Sequence, residues 1–184
     1  MDVEFITSLQ QWFEQIVQTP LTKAFPLKLI DLAKSDCIKE MSFYLSIREH
    51  FDVVGFNQAL QAHHHLPSEM LQFEDIQGMI RGTIDLVFRY QGKYYLLDYK
   101  SNFLGENWED YAPSTLAKAM LHHHYDWQYL LYTLALHRYL KTVDSDYDYE
   151  RDFGGVFYLF LRGMNGEPQS GVFLIAQVHN SSMN

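Results

Sequence analysis

The sequence predicts an α/β domain with a central mixed sheet flanked by helices, and three observations carry that expectation. Two β-rich runs, residues 79–90 and 93–100, flank the dipeptide Gln91-Gly92, a two-residue hairpin signal with glycine in its second place. Segments of helical periodicity lie on either side of this hairpin, at residues 5–18 and 114–141. A further apolar run, GVFYLFLR at residues 155–162, reads as a strand of the buried type.

Each element has its own signal. Phe5, Leu9, Trp12, Phe13 and Ile16 recur at helical spacing and stop just before Pro20, which gives an amphipathic helix. The stretch around residues 38–47 alternates and is rich in aromatic and branched side chains, so it reads as a strand. Residues 51–73 are ambiguous, compatible with a short helix and a loop around Pro67. After the hairpin, residues 101–113 form a polar loop, and Ser114 is placed to cap a long helical stretch to Lys141, broken near its aromatic and histidine-rich centre. An acidic loop, DSDYDYERD, precedes the last strand. No internal repeat or low-complexity segment stands out.

Composition narrows the function. The 184 residues make one ordinary domain, and 47% hydrophobic with 20% charged residues is a globular balance. A single cysteine, Cys37, excludes a disulfide framework within the chain, a cysteine-based zinc site and an iron–sulfur cluster. A reducing compartment, the cytoplasm, is the expectation. No apolar run approaches the roughly 20 residues that span a bilayer, and MDVEFITSLQQ lacks the basic and apolar stretches of a signal peptide, so no membrane is expected. The net charge of -9 argues against coating a phosphate backbone by bulk electrostatics, but local carboxylates that hold divalent cations are compatible with it. No G-x-x-x-x-G-K-[ST] signature occurs, so the chain carries no recognisable ATP motor.

The chemistry concentrates in YLLDYKSN, residues 95–102. Alternation along a strand puts Asp98 and Lys100 on one face and Leu97 and Tyr99 on the other. With Tyr90 opposite Lys93 across a two-residue turn, counting outward places Asp85 opposite Asp98 and Thr83 opposite Lys100. Like charges directly opposed are destabilising, and a hard divalent cation bridging the two carboxylates would relieve them. Two acids and a lysine suit phosphodiester hydrolysis, the ion activating water and the lysine steadying that water or the developing charge. A longer loop with a bulge at Gly92 would shift the register by one and set Asp85 beside Leu97. An arbitrary D-x-K is usually an exposed, weak ion pair; here it ends an apolar strand whose hairpin partner bears another aspartate.

At these residues the chain resembles a known family. GMIRGTIDLVF followed by YYLLDYKSN is similar to the PD-(D/E)XK nuclease superfamily, and more narrowly to the C-terminal nuclease domains of RecB-type subunits of exodeoxyribonuclease V. The similarity continues through YDWQYLLYTLALHRYL, DYDYE and GGVFYLFLRG, from about Phe5 to Gly163.

The resemblance implies a restriction-endonuclease-like fold and a Mg2+-dependent deoxyribonuclease, with Mn2+ or Ca2+ able to substitute in binding. It implies that Asp85 and Asp98 bind the metal, that Tyr99 adds its main-chain carbonyl, and that Lys100 is the catalytic lysine. Glu40, in KEMSFYL, matches the family's acidic position on the preceding strand; otherwise it is an ordinary exposed strand residue. Gln128 and Tyr132 match a Q-x-x-x-Y motif and share a helix face, where they would hold substrate or orient Lys100, unless Tyr132 simply joins a core stripe with Leu136 and Tyr139. The implied substrate is mainly single-stranded DNA, in double-strand break repair and DNA degradation, and the implied partners are RecC, RecD and the RecB helicase region.

The family's nuclease domain begins with an upstream helix bearing a metal-ligating histidine, and no segment of residues 1–184 matches it; His50, the first histidine, fits no such motif. The competing expectation is therefore a catalytically weakened scaffold that only binds partner subunits or DNA. A sugar or nucleotide hydrolase with an Asp85/Asp98 acid–base pair leaves Lys100 unexplained. His122 to His124 read as solvated or partly packed, because successive helical residues are turned about 100° apart and do not converge on one ion, and His63 to His65, in a stretch of uncertain loop, get the same reading.

Overall fold

In the computed structural model the described residues are 3–25, 27–47 and 78–176. Helix α1 spans Val3–Gln18, strands β1 Cys37–Ile47, β2 Gly78–Tyr90 and β3 Lys93–Lys100 follow, and helices α2 Pro113–His122 and α3 Tyr125–Val143 come next. A short helix α4, Tyr149–Asp152, leads into β4, Phe153–Phe160, and β5, Val172–Ala176, closes the sheet. The five strands lie in the order β1-β2-β3-β4-β5. Only β3 and β4 are parallel; every other neighbouring pair is antiparallel. The sheet is mixed and helix-flanked, as expected.

The parallel β3/β4 pair dictates where the helices go. Two parallel neighbours need a crossover connection, and residues 101–152 supply it, laying α2 and α3 over one face of the sheet. Leu116, Met120, Tyr129, Leu136 and Leu140 of these helices pack there with Ile84, Leu96, Val156 and Tyr158 of the strands. On the opposite face Ile16 of α1, with Leu21 and Leu27, covers Leu86, Phe88, Leu97, Phe157 and Leu159. With both faces covered, β4 is buried almost throughout, which explains its unbroken apolar run.

Several expectations need adjustment. Helix α1 starts at Val3, and of its apolar stripe Ile16 is buried and Trp12 packs on the core, while Phe5 and Phe13 are exposed. The long helical stretch does break at its histidines, with His124 in the left-handed region at φ 52°. The cap of α2 is Ala112 and not Ser114, because Pro113 takes the first helical position, where a missing N–H costs nothing. The polar loop contains a 3-10 turn at Trp108–Tyr111, α4 occupies part of the acidic loop, and β5 had no sequence signal that distinguished it. The ambiguous segment 51–73, with His63 to His65, and His50 lie outside the described residues. Among the described residues no helix is long and apolar enough to cross a membrane.

The hairpin turn forms as expected, with Gln91 and Gly92 both at positive φ, 49° and 80°, the combination that matches strand twist in a two-residue loop. A second glycine has a packing role. Gly82 on β2 pairs with Phe43 on β1, and a Cβ at Gly82 would run into the Phe43 ring, which lies across it to meet Tyr132 edge-on. Gly82→Ala is therefore expected to destabilise the fold by about 1–3 kcal/mol, read as a lower urea midpoint at unchanged slope. Combining it with Phe43→Leu should cost less than the two changes summed. An unaltered midpoint for Gly82→Ala would show that the ring moves aside freely.

Candidate active site

The site begins where two strands part. Strands β2 and β3 are paired from Tyr90↔Lys93 to Leu86↔Leu97, which fixes the two-residue turn without a bulge. Beyond that point β2 continues with β1 alone, to Gly78↔Ile47, and β3 with β4 alone, to Lys100↔Phe160. The expected Asp85/Asp98 ladder pair is thus not formed; the ladder stops one pair short of it.

Backbone groups left over at this fork are taken by side chains. The Tyr99 N–H donates to Asp85 Oδ2 at 2.8 Å, and the Thr83 carbonyl accepts from the Tyr132 hydroxyl at 2.8 Å. Asp85 also sits where the side-chain alternation of β2 slips. Ile84 and Val87 both face the α2/α3 side, whereas Leu86 and Phe88 face the α1 side. Across the strand, Glu40 adopts φ 52° and drops out of an otherwise continuous β1/β2 ladder. A non-glycine residue in that region is uncommon, and two acidic residues therefore flank one local distortion.

Asp98 and Lys100 point toward α3, and they are no surface pair: they are 4% and 7% exposed. Lys100 Nζ lies 2.6 Å from Asp98 Oδ2 and donates to Gln128 Oε1 at 2.7 Å. The Gln128 amide in turn donates to Asp98 Oδ1 at 2.7 Å and to the Tyr132 hydroxyl oxygen at 2.9 Å. One glutamine thus ties acid, amine and tyrosine together, with its carbonyl toward the ammonium and its NH2 toward the acceptors. Burial raises the Asp98 pKa, Lys100 opposes that rise, and the nearby Asp85 charge adds to it. Asp98 Oδ2 is buried and, although beside the ammonium, has no well-directed hydrogen bond.

Aromatic rings complete the lysine's surroundings. Its ammonium stands 3.7 Å from the Tyr125 ring centroid and 5.4 Å from that of Tyr158. The Tyr158 hydroxyl donates to the Tyr125 carbonyl at 3.1 Å, and Tyr125 donates to Asn102 Oδ1 at 3.2 Å. His123 stacks on Tyr125 and approaches the Asn102 amide at 3.2 Å. Sequence reasoning missed Tyr125, Tyr158 and Asn102. Tyr125 precedes Gln128 by about one helical turn and Asn102 lies two residues after Lys100, so both had a positional signal; Tyr158 is adjacent to Asp98 only through the parallel β3/β4 register.

Toward α1, Glu40, Asp85 and Tyr99 line a cleft of about 860 Å3, with Lys34 and Lys39 on its wall. The structure therefore brings Asp98, Lys100, Gln128 and Tyr132 into one bonded network and Glu40, Asp85 and Tyr99 into one cleft. The Asp85 charge, felt at both Asp98 and Tyr132, couples the two groups. Among the described residues no three or more His, Cys, Asp or Glu side chains gather closely enough to hold a metal, and His122 to His124 are exposed. Asp98 on the α3 side and Asp85 in the α1-side cleft are the two acids at the fork, linked by the Asp85 charge felt at Asp98. Carboxylate oxygens are the hard donors that a cation such as Mg2+ takes, commonly one or two from the protein, and Asp98 Oδ2 also faces the Lys100 ammonium at 2.6 Å.

Comparison with known proteins shows the family. A profile of the PD-(D/E)XK nuclease superfamily matches residues 8–178. RecBCD enzyme subunit RecB of Haemophilus influenzae is 70% identical over 173 residues, covering 94% of this chain and 14% of that protein. The same subunit of Escherichia coli is 46% identical over 168 residues, 90% of this chain and 14% of its own length, and that of Borreliella burgdorferi 32% identical over 160 residues, 87% and 13%. The chain thus spans about one seventh of the curated relatives it matches. Since the matched region takes in the fork, the Asp98–Lys100 pair and the helix that clamps it, the chain belongs to the PD-(D/E)XK nuclease superfamily, as a nuclease domain of the RecB type.

Proposed function

We propose that the chain hydrolyses phosphodiester bonds of DNA, mainly single-stranded, with Mg2+ as cofactor, as the nuclease domain of a RecBCD-type helicase-nuclease acting in double-strand break repair and DNA degradation. RecC, RecD and the RecB helicase region are its proposed partners, in keeping with the names of its relatives. The observation that carries this function is the buried Asp98–Lys100 pair, clamped by Gln128 at a fork that Asp85 also faces. A buried ion pair is a poor source of stability, and a buried acid whose pKa is raised by burial beside a charged partner is a candidate for function.

Asp85 and Asp98, with the Tyr99 main-chain carbonyl, would hold the cation, and Glu40 stands in the adjoining cleft as a further acidic group. A bound Mg2+ supplies Lewis acidity toward a phosphoryl oxygen and acidifies water at the site. Lys100 steadies the attacking water or the negative charge that develops on the phosphate, without a covalent intermediate. Gln128 fixes the ammonium's direction, and Tyr132 ties Gln128 to β2 through the Thr83 carbonyl. A scaffold that binds DNA or partner subunits without cutting is the second reading, favoured by the lack of a three-ligand cluster among the described residues.

Two predictions follow from these roles. With labelled single-stranded DNA and Mg2+ or Mn2+, Asp98→Asn and Lys100→Met should each lower the cutting rate by about 100-fold or more while retaining the wild-type circular dichroism spectrum. Retained binding with no cutting by the unmodified chain would favour the scaffold. Tyr132→Phe leaves the Thr83 carbonyl without its donor, so it should cost about 1 kcal/mol of stability. By loosening Gln128 it should also slow cutting about 10- to 100-fold, mostly in kcat; a rate equal to wild type would remove Tyr132 from the site.

A further inference from the structure

The loop that follows Lys100 turns two large aromatic side chains to solvent. Phe103 is 65% and Trp108 51% exposed, yet the backbone that carries them is tied down. The Leu104 N–H donates to the Tyr111 hydroxyl at 3.2 Å, the Asn107 N–H to Asp110 Oδ2 at 2.9 Å, and Arg162 Nε to the Ser101 carbonyl at 3.0 Å. The aromatic exposure is therefore not a product of loose packing. The Arg162 guanidinium lies 5.8 Å from the Phe103 ring centroid, and Phe103, Trp108 and Arg162 line one hollow of about 270 Å3 together with Glu106.

This hollow belongs to the same end of the sheet as the fork. Strands β3 and β4 run parallel toward it, Lys100 pairs with Phe160 there, and Phe103 and Arg162 follow three and two residues further on along the two chain segments. Three residues of extended chain span at most about 10 Å, so the Phe103 backbone lies within that reach of Lys100.

The geometry points to a base-stacking subsite in which Phe103 and Trp108, with Arg162 over the Phe103 ring, take an unstacked nucleobase of single-stranded DNA next to the phosphate presented to Lys100. The subsite rests on the nuclease function proposed above. Every base offers a π face, so aromatic platforms bind single strands without reading their sequence, and a guanidinium over a ring adds to the attraction. Glu106 in the wall disfavours a phosphate inside the hollow, which leaves the uncharged base as occupant. A double helix keeps its bases stacked inward, so the subsite selects single strands.

Fluorescence anisotropy tests this with labelled oligo(dT) and an abasic oligomer of equal length, both in EDTA so that nothing is cut. The wild-type chain should bind oligo(dT) more tightly than the abasic strand. Phe103→Ala and Trp108→Ala should each weaken oligo(dT) binding about 5-fold or more and leave abasic binding unchanged, and Trp108→Phe should restore most of the loss. Equal wild-type affinity for the two oligomers, no binding of either, or alanine variants that bind oligo(dT) like wild type would each overturn the subsite. So would variants whose only defect is capture of a partner subunit. Cutting by the wild-type chain with Mg2+ is scored separately, so intact cutting without base preference rejects the subsite alone.

Discussion

The close approach of Lys100 to Asp98 inside the domain is the constraint around which the rest is arranged. Taking an ammonium and a carboxylate out of water costs several kcal/mol per ion, and the mutual attraction offsets this only when further hydrogen bonds complete the site. Gln128 provides those bonds to both partners, and the Tyr125 ring supplies a polarisable wall for the ammonium. The pair lies at the end of β3 because that strand is parallel to β4. A parallel pair demands a crossover, the crossover is α2 and α3, and α3 carries Gln128 and Tyr132 directly over the two charges. Topology thus delivers the clamp.

The fork between β2 and β3 is the second consequence of this arrangement. If the ladder had continued, Asp85 and Asp98 would oppose each other as ordinary cross-strand neighbours, and the peptide groups of Thr83 and Tyr99 would serve the sheet. Instead a tyrosine hydroxyl and a carboxylate take over those peptide groups where the strands part. Gly82 is needed nearby because the Phe43 ring must lie flat against β2 to support Tyr132. Residues of the R-G-T-I-D-L stretch that look unrelated in sequence therefore serve one purpose, to hold the strands apart beside Asp85.

Much of this was legible in the sequence, for local reasons. The hairpin announced itself through Gln91-Gly92, and its register, with Asp98 and Lys100 on a shared face, followed from alternation alone. The helix break at the histidines was visible because the apolar period falters there. What could not be read was non-local. The point where β2 leaves β3 depends on Tyr132 reaching Thr83 from a helix far along the chain, so strand counting extended the ladder three pairs too far, to Thr83 opposite Lys100. Tyr158 comes to Lys100 through a parallel register that no short-range pattern encodes. Strand β5 is short and edge-placed, with too few residues to show a period. The roles of Glu40, Gln128 and Tyr132 came from family resemblance, and the geometry adds the bonds through which the last two act.

The fork makes sense as a catalytic device only if its two aspartates share a cation. Anomalous diffraction from crystals soaked in Mn2+ measures this most directly. The expected result is a peak within coordination distance of both the Asp85 and Asp98 carboxylates and the Tyr99 carbonyl, lost in crystals of Asp85→Asn. Density for manganese confined to the histidines, or held at Asp85 with none within reach of Asp98, would contradict it.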